Sequence, residues 1–391
     1  MIARKVCVVS GSRADYGILF PILCELNLSD EIVLQLIVTG SHLSPEFGLT
    51  VNEIEDDGFE ITKRIESLMS SDTPIGVTKS MGIGLIEFGS VFADLKPDFV
   101  LLLGDRFELL AAATAALVSP IPIIHVHGGE TTLGAYDEAI RHSITKMSHV
   151  HFTATEDYRR RVIQLGETPE RVFNSGAPGL DNLRLLEKIP KVDLEKKLGL
   201  LLNGRTLLVT WHPVTLEPGS SIPQFEEILE ALDLCPEFNL IFTKANADNE
   251  GRKINQMIEE FVAKNSRRAV VVASMGRRFY WSMLKSVDCV LGNSSSGIIE
   301  APSAGVPTVN IGVRQEGRIR AKSVVDCQPE AAKIRDVIST VTANKFRLSI
   351  DSSANPYDQG GASKIIKRVI TDVNPVTLIR KQFYDLQLPE I

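Results

Sequence analysis

Val6-Cys7-Val8-Val9-Ser10-Gly11-Ser12-Arg13-Ala14-Asp15-Tyr16-Gly17 sets the pattern for the whole chain. Four apolar residues run into a turn of small residues, and a helical pattern follows. A run with no polar face is a strand buried on both sides, the habit of a parallel sheet covered by helices. Further such runs occur at Ile32–Val38, Phe99–Leu103, Ile121–Val126, Leu207–Val209, Leu240–Phe242, Ala269–Val272, Asp288–Leu291 and Val306–Ile311. Helical segments separate them, so the sequence predicts an α/β protein. The charged stretch at 187–204 breaks the rhythm and predicts a boundary between two Rossmann-like domains, 1–187 and 205–371. From Ala362 to about Phe383 the pattern is helical, and this last segment, with residues 372–391 beyond the second domain's limit, is expected to pack back on the first domain.

The length of 391 residues suits two domains, and 42 Lys+Arg against 49 Asp+Glu leave a net charge of −7. No basic run is present, which argues against a nucleic-acid partner. Five widely spaced cysteines lack a C-x-x-C pair, so neither a disulfide framework nor a zinc site is expected. The longest uncharged stretch, Leu109–Gly129, is divided by Pro120 and Pro122 and reads as helix, turn and strand, not as a membrane span. With no signal-peptide pattern at the start, a soluble cytoplasmic protein is expected.

In open parallel sheets, ligands bind at the carboxyl ends of the strands. The turn after Val9 carries neither a dinucleotide fingerprint nor a P-loop, but it sets Arg13 at a helix start, suited to a phosphate. A polar surface turn is the plain alternative. Leu291-Gly292-Asn293-Ser294-Ser295-Ser296-Gly297 follows a strand and opens a helix whose first N–H groups and dipole favour an anion. An ordinary serine cap is the plain alternative there. Glu300, one turn on, is placed to accept ribose hydroxyls, and Arg314 and Arg318 to meet phosphate. Asp105, Glu130 and Asp137 bring three carboxylates to neighbouring strand ends, where crowding separates acid from base. Each has Arg106 or Arg141 nearby as an ordinary ion-pair partner. His212 ends the Leu207–Val209 strand. The pairs His125-x-His127 and His149-x-His151 have a spacing compatible with a metal but no further ligands at convincing distance, so no metal is expected.

These blocks, taken in order, resemble the hydrolysing UDP-N-acetylglucosamine 2-epimerases over nearly the whole chain. They are S-R-A-D-Y-G at 12–17, V-T-G-S-H-L at 38–43, G-D-R-F-E at 104–108, H-G-G-E at 127–130 and D-E-A-I-R-H-S-I-T-K at 137–146. W-H-P-V-T at 211–215, G-N-S-S-S-G at 292–297 and G-V-R-Q-E-G-R at 312–318 complete the set. The resemblance implies a glycosyltransferase-B-like fold, two Rossmann-like domains facing a central cleft, with no cofactor and no catalytic metal. It implies that Arg13, Ser294, Ser295, Gly297, Glu300 and Arg314 bind UDP. It places His42, Asn246 and His212 along the cleft, with His212 also counted as catalytic, and Arg106 and Arg141 are expected to bind substrate. Asp105, Glu130 and Asp137 become the acid–base candidates, with Asp105 preferred as the C2 base and Glu130 as the acid of the hydration step. The implied reaction is anti-elimination of UDP to a 2-acetamidoglucal, then syn addition of water, giving N-acetylmannosamine for sialic acid synthesis. A variant acting on UDP-2,4-diacetamido-2,4,6-trideoxyglucose, a glycosyltransferase, and a silent UDP-sugar-binding regulator are the alternatives. A homo-dimer or tetramer is expected, with the glycine-bearing helix at about 74–95 as contact surface, and no membrane partner.

Overall fold

In a computed structural model the chain forms two compact units, each built on its own parallel sheet. The structure describes residues 3–69, 71, 73–133, 136–214, 217, 219–245, 250–272 and 276–387. The first unit runs to Glu130, resumes over Asp137–Asp181, and ends with the chain from Gln359. The second comprises Thr131–Tyr136 and Asn182–Asp358.

The first sheet contains β1 (Arg4–Ser10), β2 (Ile32–Thr39), β3 (Ile61–Ile65), β4 (Phe99–Leu103), β5 (Ile123–Val126), β6 (Val150–Thr153) and β7 (Val172–Asn174). Their order is β3-β2-β1-β4-β5-β6-β7, parallel throughout. Alternation along β1 explains why the strand is apolar at every step. Val6 and Val8 point into one core with Leu19, Leu23 and Ile366, while Cys7 and Val9 point into the other with Phe88, Phe92 and Ala112. The second sheet has β8 (Thr206–Thr210), β9 (Asn239–Thr243), β10 (Ala269–Val272), β11 (Cys289–Gly292), β12 (Thr308–Ile311) and β13 (Val324–Cys327). They are ordered β10-β9-β8-β11-β12-β13, again all parallel. Each sheet therefore reverses its order once, between β1 and β4 and between β8 and β11. Those reversals open the crevices where ligands bind in such folds.

The runs beginning at Ile121 and Val306 start as strands only at Ile123 and Thr308. Pro122 and Pro307 have no N–H to give to a ladder. Four strands escaped the sequence reading: β3, with its Thr-Lys-Arg centre, and the short β6, β7 and β13. None of them is long and apolar enough to stand out from a loop.

The expected domain limits also need correction. The charged stretch forms a helix, Lys191–Leu198, inside the second unit, and the division falls earlier, after Asp181. The amphipathic helix Ala362–Asp372 lies within the expected limits of the second domain, but it packs back on the first unit and belongs to it. Its Ile366, Val369 and Ile370 lie in the core beside β1 and the helix Arg13–Asn27. Asp181 caps this helix across the chain, accepting bonds from Gly361 N (3.0 Å), Ser363 N (2.9 Å) and Ser363 Oγ (2.6 Å). The helix Pro74–Leu95 is long and apolar enough to cross a membrane by length and composition. Here it packs Gly84 and Phe88 inward, against Ala111 and the core, and exposes Ile75 and Ile86.

Candidate active site

In the first unit the carboxylates gather around one arginine. Arg141, from the helix Asp137–Met147, is 1% exposed. Its guanidinium ion-pairs with Asp105 beyond β4, donates to the Glu130 carbonyl (2.9 Å), and donates to Glu138 Oε2 (2.7 Å). Burial alone would lower the Arg141 pKa, but the carboxylates of Asp105, Glu130 and Glu138 drive it above its ordinary value. Arg141, expected to bind substrate, has these protein partners. A fully buried guanidinium committed to three protein groups holds the carboxylates in place. Asp137 opens the same helix and is partly buried. The i,i+3 spacing of Glu138 and Arg141 was a readable signal for that pair; the reach from Arg141 back to Asp105 was not.

Behind Asp105 lies His125 of β5. Burial lowers its pKa to about 3, so the ring is neutral. Nε2 must carry the proton, because it lies 2.8 Å from the Gly104 carbonyl; Nδ1 then accepts from Thr145 Oγ1 (3.1 Å). Gly104, at φ +84°, turns the chain so that Asp105 leaves the sheet edge. His149 accepts from the Ile123 N–H and His151 pairs with Glu167. Among the described residues no group of three or more His, Cys, Asp or Glu side chains is arranged to hold a metal.

His42, expected to face a ligand, is instead locked inside the unit. Its Nε2 meets Ser10 Oγ (2.9 Å), its Nδ1 meets Thr50 Oγ1 (2.7 Å), and it is fully buried. Burial, helped by the Arg106 charge, lowers its pKa to about 3. Arg106 forms a two-point ion pair with Glu108 (3.3 Å each), and that carboxylate is itself buried against Gly11 and Gly40. Beside them Asp15 is pushed up to about 6, first by burial and then by the Glu108 and Asp105 charges, against the pull of Arg106. Neither Glu108 nor Asp15 stood out in the sequence. Arg13, half-buried, is the first residue of the helix that Ser12 caps.

In the second unit the reversal between β8 and β11 is closed by Asn293. Its Oδ1 accepts from His212 N and its Nδ2 donates to His212 O, both at 2.7 Å, so one fully buried amide satisfies both backbone groups of His212. The crossing is close. A Cβ on Gly292, at φ +129°, would lie 1.9 Å from the Thr210 carbonyl oxygen. Arg314 and Gln315 both donate to the Asn293 carbonyl (3.1 and 2.9 Å), which brings the Arg314 side chain to the turn. Ser294 caps the helix Ser295–Ser303, and Tyr280 bonds Ser296. Gly297, expected to touch the ligand, is closely packed. A Cβ there would meet Thr308 Cγ2 at 2.7 Å. Glu300 lies partly buried farther along the helix, and Asn246 lies outside the described residues. The unit thus presents a serine-capped helix start with an arginine held beside it, a combination suited to a diphosphate.

Residues 25–371 match the family described as UDP-N-acetylglucosamine 2-epimerase. The chain is 42% identical to GDP/UDP-N,N'-diacetylbacillosamine 2-epimerase (hydrolyzing) of Campylobacter jejuni, covering 99% of this chain and 100% of the relative. It is 40% identical to polysialic acid biosynthesis protein P7 of Escherichia coli, over 98% of each. A Legionella pneumophila UDP-N,N'-diacetylbacillosamine 2-epimerase (hydrolyzing) is 39% identical over 83% of this chain and 85% of its own. The fold is similar to that of the Neisseria meningitidis UDP-GlcNAc 2-epimerase crystallised with UDP-GlcNAc. The TM-score is 0.79 at 21% identity, over 94% of this chain and 99% of that one.

Proposed function

Because this chain belongs to the UDP-N-acetylglucosamine 2-epimerase family, we propose that it is a hydrolysing 2-epimerase whose substrate is UDP-2,4-diacetamido-2,4,6-trideoxyglucose, that is, UDP-N,N'-diacetylbacillosamine. The observation that carries the substrate is the 42% identity, end to end, with the Campylobacter enzyme of that name; the Legionella relative supports it. UDP-N-acetylglucosamine, giving N-acetylmannosamine, is the second reading, favoured by the similarity to the polysialic acid protein.

The C2 hydrogen of such a sugar is not adjacent to a carbonyl, so its removal must be coupled to departure of UDP. In our reading Asp105 takes the C2 proton while the C1–O bond breaks with its electron pair going to UDP. The start of the helix Ser295–Ser303, with Arg13 and Arg314, receives the charge on the leaving diphosphate. The resulting glucal then adds water, with Glu130 supplying the proton to C2 and Asp137 orienting the water. His212 and Glu300 border the nucleotide. We further propose that the enzyme works in the cytoplasm as a homo-oligomer through the exposed face of the helix Pro74–Leu95.

Incubating the protein with each nucleotide sugar, and following UDP release together with the NMR spectrum of the free sugar, tests the reading. At least tenfold higher kcat/KM for the diacetamido sugar is expected. The reverse preference selects the second reading. UDP release only with an added acceptor points to a glycosyltransferase, and release from neither sugar rejects both epimerase readings.

A further inference from the structure

We propose that His127 and Glu130 form a single proton-holding pair, in which His127 is a positioning residue that orients Glu130 and shares its proton. The inference rests on the reading of Glu130 as the acid of the hydration step.

The turn after β5 is built to bring these two side chains together. His127 donates its backbone N–H to Phe152 O (2.9 Å) and then departs from the strand at φ +65°, a left-handed conformation uncommon outside glycine. Gly129 follows at φ +75°, where a Cβ would lie 2.4 Å from the Tyr158 carbonyl oxygen. Two arginines pin the carbonyls, Arg161 on Gly129 (2.6 Å) and Arg141 on Glu130 (2.9 Å). The chain therefore folds back within three residues, and His127 Nδ1 meets Glu130 Oε1.

Both members are desolvated, at 7% and 2% exposure. The far ring nitrogen, His127 Nε2, is buried without a hydrogen-bond partner among the described residues. An unmet buried polar atom and a left-handed non-glycine backbone both cost stability. Glycine or asparagine at 127 would relieve the backbone, and neither carries an imidazole. Two unfavourable features on one residue, aimed at an acid–base carboxylate, indicate that the ring is kept for chemistry. The charged groups facing the pair are Arg141 and Glu138 from the helix Asp137–Met147, Arg161 from the helix Glu156–Gln164, and Asp105 through Arg141.

One proton lies between Nδ1 and Oε1. During hydration the C1=C2 electron pair of the glucal forms the new C2–H bond with the proton on Glu130, and the O–H pair stays on the carboxylate. His127 is then a neutral imidazole with its proton on Nε2, and Nδ1 is open to take up the next proton. Water oxygen closes on C1 and its surplus proton returns to the pair, which leaves it as it began. Syn addition places both transfers on one face of the sugar, within reach of one group.

Two substitutions separate proton sharing from support of the turn. His127→Asn keeps a left-handed backbone and an N–H near the Nδ1 position but cannot ionise. His127→Gly relaxes the backbone and removes the ring. With the nucleotide sugar that wild type turns over, H127N is expected to keep the wild-type melting temperature and a KM within about threefold. Its kcat should fall at least tenfold, and the pH limb that Glu130→Gln abolishes should move by a pH unit or more. H127G should be at least as slow and regain activity with added imidazole. Wild-type kcat in either variant, or a lower kcat with an unmoved pH limb, overturns the proposal. Imidazole 15N NMR tests the pair without any substrate. Glu130→Gln should shift the His127 Nδ1 signal, and an unchanged signal overturns the pair. Should wild type release UDP from no sugar, the functional reading falls while this coupling still stands or fails on its own.

Discussion

Replacing Asn293 probes the joint between fold and site in the second unit. Asn293→Ala removes one acceptor and one donor, so the buried His212 N–H and C=O each lose the bond that Asn293 makes. At about 1–3 kcal/mol for each buried group that loses its bond, the loss is roughly 2–6 kcal/mol. For a unit of this size about 1 kcal/mol moves a melting transition by ~2–4 °C. Taking the lower half of the range, because water can enter the space vacated by the amide, the second unit should melt about 4–16 °C earlier. Calorimetry resolves this, since two units need not unfold as one transition. Asn293→Asp sharpens the test. Ionised, it sets a carboxylate oxygen against the His212 carbonyl, where a donor stood at 2.7 Å. Protonated, it can donate again. N293D should therefore be less stable than wild type at pH 8 and recover part of the difference near pH 5. The Arg314 and Gln315 bonds go to the Asn293 backbone, so UDP affinity should fall in both variants as the turn loosens. A melting shift under 2 °C in N293A, with N293D equally stable at pH 8 and pH 5, would refute the clamp.

Three further expectations are independent of it. Ser294→Ala combined with Arg314→Ala should weaken UDP binding about 100–10,000-fold by calorimetric titration, with the fold intact, since each of the two bonds to a charged phosphate contributes roughly 1.5–3 kcal/mol; wild-type affinity in the folded double variant removes UDP from that turn. Gly292→Ala should yield little soluble protein, because its methyl group would fall 1.9 Å from the Thr210 oxygen; a well-folded variant with the wild-type melting temperature contradicts the close crossing. Glu167 would be raised by burial, but His151, Lys146 and Lys381 bring it down to about 2. Its folded pKa lies below the ordinary 4.5, so its contribution is complete above about pH 5 and drains away as pH falls toward 2. Urea unfolding should show wild type more stable than Glu167→Gln at pH 6, by up to about 3 kcal/mol at ~1.4 kcal/mol per pKa unit, and the gap should shrink to about 1 kcal/mol or less by pH 2.5.

Much of the fold was legible because it depends on composition repeated along the chain. Doubly buried strands leave uninterrupted apolar runs, and a helix-start turn must be made of small and capping residues; β1, β4, β8, β9 and β11 announce themselves in this way. Short or polar edge strands such as β3 and β7 leave no such mark. Segment assignment was harder still. The helix Ala362–Asp372 is legible as helical, but the residue that caps it, Asp181, lies 182 residues from Ser363 in the chain.

The sequence alone determined a doubly wound α/β architecture and the chemical character of each strand end: carboxylates at 105, 130 and 137, and a serine-capped helix start at 294. Tertiary structure decided what each polar side chain does there. Arg141 and His42 have the residue types of ligand-binding groups, but buried partners claim them, the carboxylates in one case and two hydroxyls in the other. Asn293 and His127 drew no functional assignment, although one closes the β8–β11 crevice and the other holds the carboxylate of Glu130. The reason is physical. Strand periodicity is a local property that solvent exclusion writes into neighbouring residues, whereas the direction and pairing of a charged side chain are settled by whichever complementary group the packed fold brings within hydrogen-bond distance.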